Sequence, residues 1–205
     1  MTRLRSGSVR TAVHLAVVTT VLASFPAMVV SAETQRAILE LDPGKTSIRF
    51  TLEGSLHTTH GTFALKRGTV RVEPATGQAE GSILVDASSG ESGNGARDRR
   101  MTESIIEAQK YPDITFSPQH IDGHPHPDGD FQAKVTGILQ LHGTDHQIVF
   151  DTQGHLSGQR LTMRFHLVIP YVEWGLKDPS ILLFTVSKEV DVEVTAEGWV
   201  TWITH

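Results

Sequence analysis

Apolar and polar residues alternate with a period of two along most of the chain, as in strands that bury one face. The alternation is clear at Ile48, Phe50 and Leu52, and again at Ile83 and Val85. The same pattern recurs in Val70 to Val72, Ile114 to Phe116, Phe131 to Leu141, Ile148 to Phe150, Leu161 to Ile169, and Val186 to Val194. The sequence therefore predicts about eight strands, separated by turns rich in glycine, proline and aspartate.

The lengths of the predicted strands distinguish a barrel from a sandwich. Antiparallel strands joined by short turns form either a sandwich or a barrel. The longest runs, near residues 131–141 and 160–169, favour a barrel, because a tilted closed wall uses strands of about ten residues. We predict a single all-β domain that forms an eight-stranded antiparallel barrel. Such a barrel is either filled with side chains or holds one small ligand.

One segment, residues 93–116, interrupts the alternation. It opens with Asn94-Gly95, a turn signal, continues through Arg97-Asp98 into an amphipathic stretch, and returns to strand after Tyr111-Pro112. Asp98 is placed to cap a helix or to lie in its first turn, where a carboxylate is favoured. The segment predicts a short helical insert at about residues 97–108.

The order of several sequence blocks resembles the YceI-like family. Besides the insert, these blocks are Leu56 to Phe63, Gly81 to Asp86, Leu139 to Gly143 and Tyr171 to Ser180, and they span most of residues 38–198. Members of that family are small exported proteins with a lipocalin-like barrel, and some hold a polyisoprenoid or other long-chain lipid. The resemblance implies a barrel that binds a long apolar ligand and performs no chemistry on it.

The alternation and the resemblance together predict which side chains would face such a ligand. The expected cavity residues are Phe50, Phe63, Ile83, Val85, Phe116, Leu139, Leu141, Phe165, Leu167, Trp174 and Phe184. Asn94, Arg97 and His142 are expected to form a polar rim for the ligand head group. Two alternatives stay open at this point: Arg97 as a clamp that fixes the insert across the barrel end, and Trp174 as a plug.

The first 32 residues have the pattern of a signal peptide. Three arginines precede an apolar stretch at Ala12–Ala23, and small residues follow at Val30-Ser31-Ala32. We expect cleavage near Ala32 and a periplasmic or secreted domain of residues 33–205, with no stable membrane insertion. An uncleaved anchor is the alternative. No later run reaches the about 20 apolar residues that a membrane-spanning helix needs.

Composition narrows the function classes. The chain has 18 Lys and Arg against 23 Asp and Glu, so removing the three N-terminal arginines leaves 15 against 23, a net charge of −8. This acidic balance disfavours nucleic acid as a partner. The chain has no cysteine, which excludes thiol catalysis. It also lacks the sequence motifs of serine hydrolases, zinc hydrolases and phosphate-binding loops, so we expect neither enzyme activity nor a cofactor.

Histidines are the remaining candidates for metal ligands. His57 and His60 lie three apart in a strand-like block and so point to opposite faces. His142 and His146 flank a predicted hairpin and could face each other, whereas the histidines of residues 124–126 lie in a proline-rich turn. Because a structural site needs four converging ligands, we expect no metal site. Two alternatives to lipid binding remain: a packed barrel that is a stress-related interaction module, and a His-dependent metal binder or hydrolase.

Overall fold

The computed structural model describes residues 35–123, 128–181 and 184–204. The predicted signal segment, residues 1–32, and the histidines of residues 124–126 lie outside this part of the chain. The predictions that concern them therefore stay predictions.

Strand segments make up most of the described chain. They are β1 (Gln35–Leu41), β2 (Ser47–Leu52), β3 (Thr59–Phe63), β4 (Leu65–Glu73), β5 (Gln78–Asp86), β6 (Asp113–Asp122), β7 (Gly129–Leu141), β8 (Thr144–Ser157), β9 (Arg160–Ile169) and β10 (Val190–Thr204). Every pairing between them is antiparallel. β1 and β2 both pair with β10, so together they form one interrupted strand. β3 pairs with β2 and β4 pairs with β1, so β3 and β4 form a second interrupted strand beside the first.

The resulting eight strands close into a barrel, which confirms the predicted fold class. The order runs β1-β4-β5-β6-β7-β8-β9-β10, and β10 pairs back with β1, where Leu39 lies opposite Val200. A 3-10 turn at Pro43–Lys45 separates β1 from β2. The Asp42 carboxylate caps that turn by accepting a hydrogen bond of 2.9 Å from the Gly44 N–H. The first strand therefore bends here without leaving its neighbour.

The alternation directs apolar side chains to the barrel interior. In β7, Val135, Leu139 and Leu141 are buried, whereas Lys134 and Gln140 are exposed. The pairing of β7 with β8 has no register shift, so the alternation holds over the whole strand. Burial of such aliphatic side chains contributes about 1.5–3 kcal/mol each.

The irregular segments gather at one end of the barrel. We call this the cap end, defined as the end where β2 finishes and β10 starts. Because neighbouring strands are antiparallel, four connections meet there: residues 53–58, 87–112, 142–143 and 170–189. A cluster of buried apolar residues joins two of them, 87–112 and 170–189, to the barrel; it is formed by Ala87, Ile106, Ala108, Leu141, Tyr171 and Leu176.

The helical insert starts and ends slightly earlier than the expected residues 97–108. It consists of α1 (Gly95–Arg99) followed by a π-helical stretch, Arg100–Ile105. Asn94 caps α1, because its side-chain oxygen accepts hydrogen bonds from the N–H groups of Ala96 and Arg97 at 3.1 and 3.2 Å. The Asn94-Gly95 pair predicts a turn at this position, whereas the structure makes Asn94 the cap of a helix. Within the described residues, no helix has the length and apolar character to cross a bilayer.

Candidate functional site

The barrel encloses an elongated apolar cavity. Its volume, as the space open to the centre of a water-sized sphere, is about 230 Å³. Along β10 the lining runs from Val190 to Ala196, and along β9 from Met163 to Ile169. Six residues of strand span about 20 Å, so the cavity follows the barrel interior over several side-chain layers. Its shape is that of a tunnel rather than a round pocket.

Most of the expected cavity residues line this space. Nine of them do so, namely Phe50, Phe63, Ile83, Val85, Phe116, Leu139, Leu141, Phe165 and Leu167. All nine belong to strands, where period-two alternation fixes which face a side chain takes. Their contact with a ligand stays a prediction.

Trp174 and Phe184 do not line the cavity, which corrects their expected placement. Both lie in the irregular connection 170–189, where strand alternation does not apply. The Trp174 ring stacks on the His146 imidazole, with centroids 3.9 Å apart and planes 4° from parallel. Phe184 is 55% exposed at the surface. Trp174 therefore packs against the buried apolar cluster of the cap end, beside the cavity rather than in its lining.

Residues of two connections complete the lining, and strand alternation does not predict them. Met101, Ile105 and Ile106 come from the helical insert. Their i, i+4 and i+5 spacing on an amphipathic segment was a readable signal of one apolar face. Leu176 and Pro179 come from the connection 170–189. No periodicity marks those two, because the connection is neither helix nor strand.

Aromatic rings pack along the cavity wall. The Phe150 ring stacks on Phe165 with a centroid distance of 4.5 Å and contacts Phe116 at 5.5 Å. Phe50 and Phe63 form a second tilted pair, also at 5.5 Å. Such ring pairs add about 0.5–1.5 kcal/mol beyond area burial. These contacts therefore contribute to the stability of the cavity wall.

The hydroxyl groups of the lining residues are bonded to the protein. The Tyr171 hydroxyl donates to the Ser187 carbonyl at 2.7 Å, and the Thr46 hydroxyl donates to the Asp42 carbonyl at 2.8 Å. Burial, with a smaller contribution from the negative charge of Asp178, raises the pKa of Tyr171 to about 12. Tyr171 is therefore neutral at physiological pH. The cavity offers a ligand apolar contact and no free acid or base.

Arg97 ties the insert to neighbouring segments. Its guanidinium donates to the Ser92 hydroxyl at 2.7 Å, to the Ser92 carbonyl at 2.8 Å and to the Thr59 hydroxyl at 3.5 Å. Asp98 lies in the first turn of α1, as expected, and its carboxylate accepts from both the N–H and the hydroxyl of Ser92. These bonds make Arg97 and Asp98 a clamp on the insert. The function of Arg97 and Asn94 as a polar rim stays a prediction.

His142 belongs to a second clamp at the cap end. Its Nε2 lies 2.8 Å from the Glu107 carboxylate, which accepts this hydrogen bond. Lys177 donates to the other Glu107 oxygen at 3.5 Å. The hydrogen bond from His142, followed by the positive charge of Lys177, lowers the pKa of Glu107. This one carboxylate thus links the insert, the hairpin turn and the connection 170–189.

The histidines do not converge. His142 lies in the turn between β7 and β8, whereas His146 lies opposite Leu139 within the ladder, so the two do not face each other. His60 is bonded to the Thr51 hydroxyl at 3.1 Å. Across the described residues, no group of three or more His, Cys, Asp or Glu side chains could hold a metal ion.

A closed eight-stranded antiparallel barrel around an apolar cavity, capped by a helical insert, defines the class of lipocalin-like barrels. The YceI-like domain matches residues 39–198. The chain belongs to the YceI-like family.

Solved structures show the same fold at low sequence identity. BcnA from Burkholderia cenocepacia is 18% identical with a TM-score of 0.60, over 77% of this chain and 98% of that one. A polyisoprenoid binding domain from Saccharophagus degradans, implicated in plant cell wall breakdown, is 18% identical with a TM-score of 0.58, over 80% and 98%. The YceI protein of Campylobacter jejuni is 18% identical with a TM-score of 0.51, over 64% and 79%. No curated protein sequence matches this chain.

Proposed function

We propose that this protein binds a long apolar ligand, a polyisoprenoid or another long-chain lipid, inside its barrel and performs no chemistry on it. The observation that carries the proposal is the apolar tunnel whose hydroxyl groups are already bonded to the protein. The binding of polyisoprenoid by the Saccharophagus degradans domain, which shares this fold, supports the same ligand class.

Burial of the ligand tail supplies the affinity. Each methylene group that moves from water into the cavity contributes roughly 0.8 kcal/mol. A tunnel favours a single extended chain, because a compact ligand of the same size would leave part of the tunnel empty. Affinity should therefore rise with tail length until the tunnel is full.

The ligand head group is assigned to the cap end, where Asn94, Arg97 and His142 lie. A guanidinium has five N–H donors, and the bonds to Ser92 and Thr59 account for three of those of Arg97. The remaining donors suit an anionic head group such as a phosphate.

The proposal includes export. The signal-like pattern of residues 1–32 supports cleavage near Ala32 and a periplasmic or secreted location. Intact mass measurement of the protein from its producing cell should give a chain that starts at Glu33. If the protein is instead recovered from the membrane fraction with a mass that includes the N-terminal 32 residues, the anchored form is favoured.

Filling the tunnel should displace the ligand. Leu141 lines the cavity and is 6% exposed, so Leu141→Trp adds its extra volume where the tail would lie. The variant should recover much less lipid by organic extraction and keep its fold. Val149→Trp is the matched control, since Val149 lies on β8, is 55% exposed and points away from the cavity.

A barrel filled with side chains makes the opposite prediction. There Leu141→Trp would destabilise the protein by about 1–3 kcal/mol through overpacking, and neither form would carry lipid. Unchanged melting of the ligand-stripped variant together with lost lipid supports the cavity. A large drop in melting temperature, with no lipid in the parent protein, would favour the interaction module without a ligand.

A further inference from the structure

Large apolar side chains are exposed on two neighbouring connections at the cap end. Leu56 is 71% exposed, Phe184 55% and Ile181 49%. Water contact of such side chains is unfavourable, and several of them together mark an interaction surface. We call Leu56, Ile181 and Phe184 the apolar tip.

The apolar tip is held by backbone hydrogen bonds. The Ser55 N–H donates to the Thr185 carbonyl at 2.8 Å, which joins the two connections next to Leu56 and Phe184. Ile181 and Phe184 exchange two backbone hydrogen bonds, of 2.9 and 2.7 Å. The backbone next to the three exposed side chains is therefore hydrogen-bonded within the protein.

The apolar tip adjoins the cavity. Pro179 lines the cavity and lies two residues before Ile181. The Arg100 guanidinium donates to the Pro179 carbonyl at 3.1 Å, so this part of the connection is fixed against the helical insert. The apolar tip thus lies two residues along the chain from the tunnel lining, at the cap end of the barrel.

The charge pattern and size of the apolar tip point to one kind of partner. Residues 54–58 and 180–187 contain no Asp, Glu, Lys or Arg. A stable protein interface buries about 1,200–2,000 Å² and involves about 20–30 residues a side, far more than three side chains at a loop tip. A bilayer needs no such matched surface, because a few apolar side chains insert among its lipid tails.

We propose that the apolar tip docks the cap end on a lipid bilayer, so that an apolar ligand passes between membrane and tunnel. This inference rests on the proposed function, since the tunnel supplies the reason for docking at this end. Residues 33–205 carry a net charge of −8, which anionic lipids repel. Docking therefore favours zwitterionic membranes.

Flotation with phosphatidylcholine vesicles tests the docking. The double variant Ile181→Ser/Phe184→Ser should bind vesicles about tenfold less than the parent or weaker still. Leu56→Ser, on the other connection, should weaken binding to a smaller extent. The matched control is Val149→Ser/Val168→Ser, which removes side chains that are 55% and 52% exposed on the barrel wall, and it should float like the parent.

Three results would overturn the docking proposal. The first is a parent protein that does not float with the vesicles, and the second is equal loss of binding in the control variant. The third is a dimer in sedimentation velocity that the tip substitutions dissociate, because the tip would then be an interface between two copies.

A probe in solution separates this proposal from the proposed function. Parinaric acid, a fluorescent long-chain fatty acid, should bind the parent and the tip variants equally without vesicles, and bind Leu141→Trp poorly. Probe binding without flotation would reject docking alone. Flotation without probe binding would reject the lipid-binding tunnel and leave a membrane-attached barrel.

Discussion

Two non-glycine residues of the described chain have left-handed backbone, and they are bonded to each other. Glu107 has a φ of 54° and His142 a φ of 53°, a conformation that costs about 1–3 kcal/mol per residue. The Glu107–His142 hydrogen bond of 2.8 Å joins the two strained positions. At the residue scale, the cap end is thus fixed by specific polar bonds.

Arg97 provides a test of such bonds. Arg97→Ala removes three donated hydrogen bonds and should lower the free energy of unfolding by about 1–3 kcal/mol. Chemical denaturation measures the change. The control is Arg99→Ala, an exposed position in the same helix, which should stay within about 0.5 kcal/mol of the parent.

The opposite pattern would point to the rim function of Arg97. If Arg97→Ala leaves stability unchanged and reduces lipid recovery, the guanidinium serves the ligand head group rather than the insert. If Arg97→Ala and Arg99→Ala both change the free energy of unfolding by the same small amount, Arg97 is not a clamp on the insert.

At the residue scale, prediction from sequence succeeded where the backbone is regular. Val85 and Phe165 line the cavity, on the face that strand alternation predicts, because alternation leaves two choices of face and apolar residues take the buried one. Trp174 and Phe184 lie outside regular structure. Their positions depend on contacts such as the His146 stack, which no local pattern encodes.

At the scale of elements, the helical insert is the part that the sequence predicted least well. The amphipathic stretch predicts a helix, but no local sequence pattern predicts the change to π-helical geometry at Arg100. Its ends were shifted as well, because Asn94 rather than Asp98 caps the first turn. The strands were predicted more accurately, because the alternation of apolar and polar residues along each strand matches that of the strands paired with it.

The attachment of this insert should depend on pH through Glu107. A carboxyl group with a folded-state pKa below its usual 4.5 stabilises the fold above that value. Its contribution disappears as the pH falls through the lowered pKa. Glu107→Gln cannot ionise and has a comparable side-chain length and backbone strain. The parent should therefore melt at a higher temperature than this variant at about pH 5, and the difference should shrink by about pH 3.

Glu103→Gln is the control for this comparison. Glu103 lies in the same insert and is exposed, so Glu103→Gln should stay within about 0.5 kcal/mol of the parent at about pH 5. If the melting temperatures of the parent and of Glu107→Gln differ by the same amount at both pH values, the ionised Glu107 carboxylate does not stabilise the attachment of the insert.

At the scale of the whole molecule, closure of the barrel and the gathering of four connections at one end create the tunnel. The sequence predicted closure through strand count and strand length. The alternation by itself does not predict that the barrel is hollow, because it looks the same whether facing side chains meet or leave a gap; the expectation of a cavity came from the family resemblance. That outcome depends on the sum of side-chain volumes around the axis.

Native mass spectrometry of the protein purified from its producing cell tests the central claim most directly. We predict a folded protein with an added mass that organic extraction removes and that corresponds to a long-chain lipid. The Leu141→Trp variant should lack this added mass, and Val149→Trp should keep it. A parent protein that carries the mass of its polypeptide alone, and that takes up no long-chain lipid when offered one, would contradict the account.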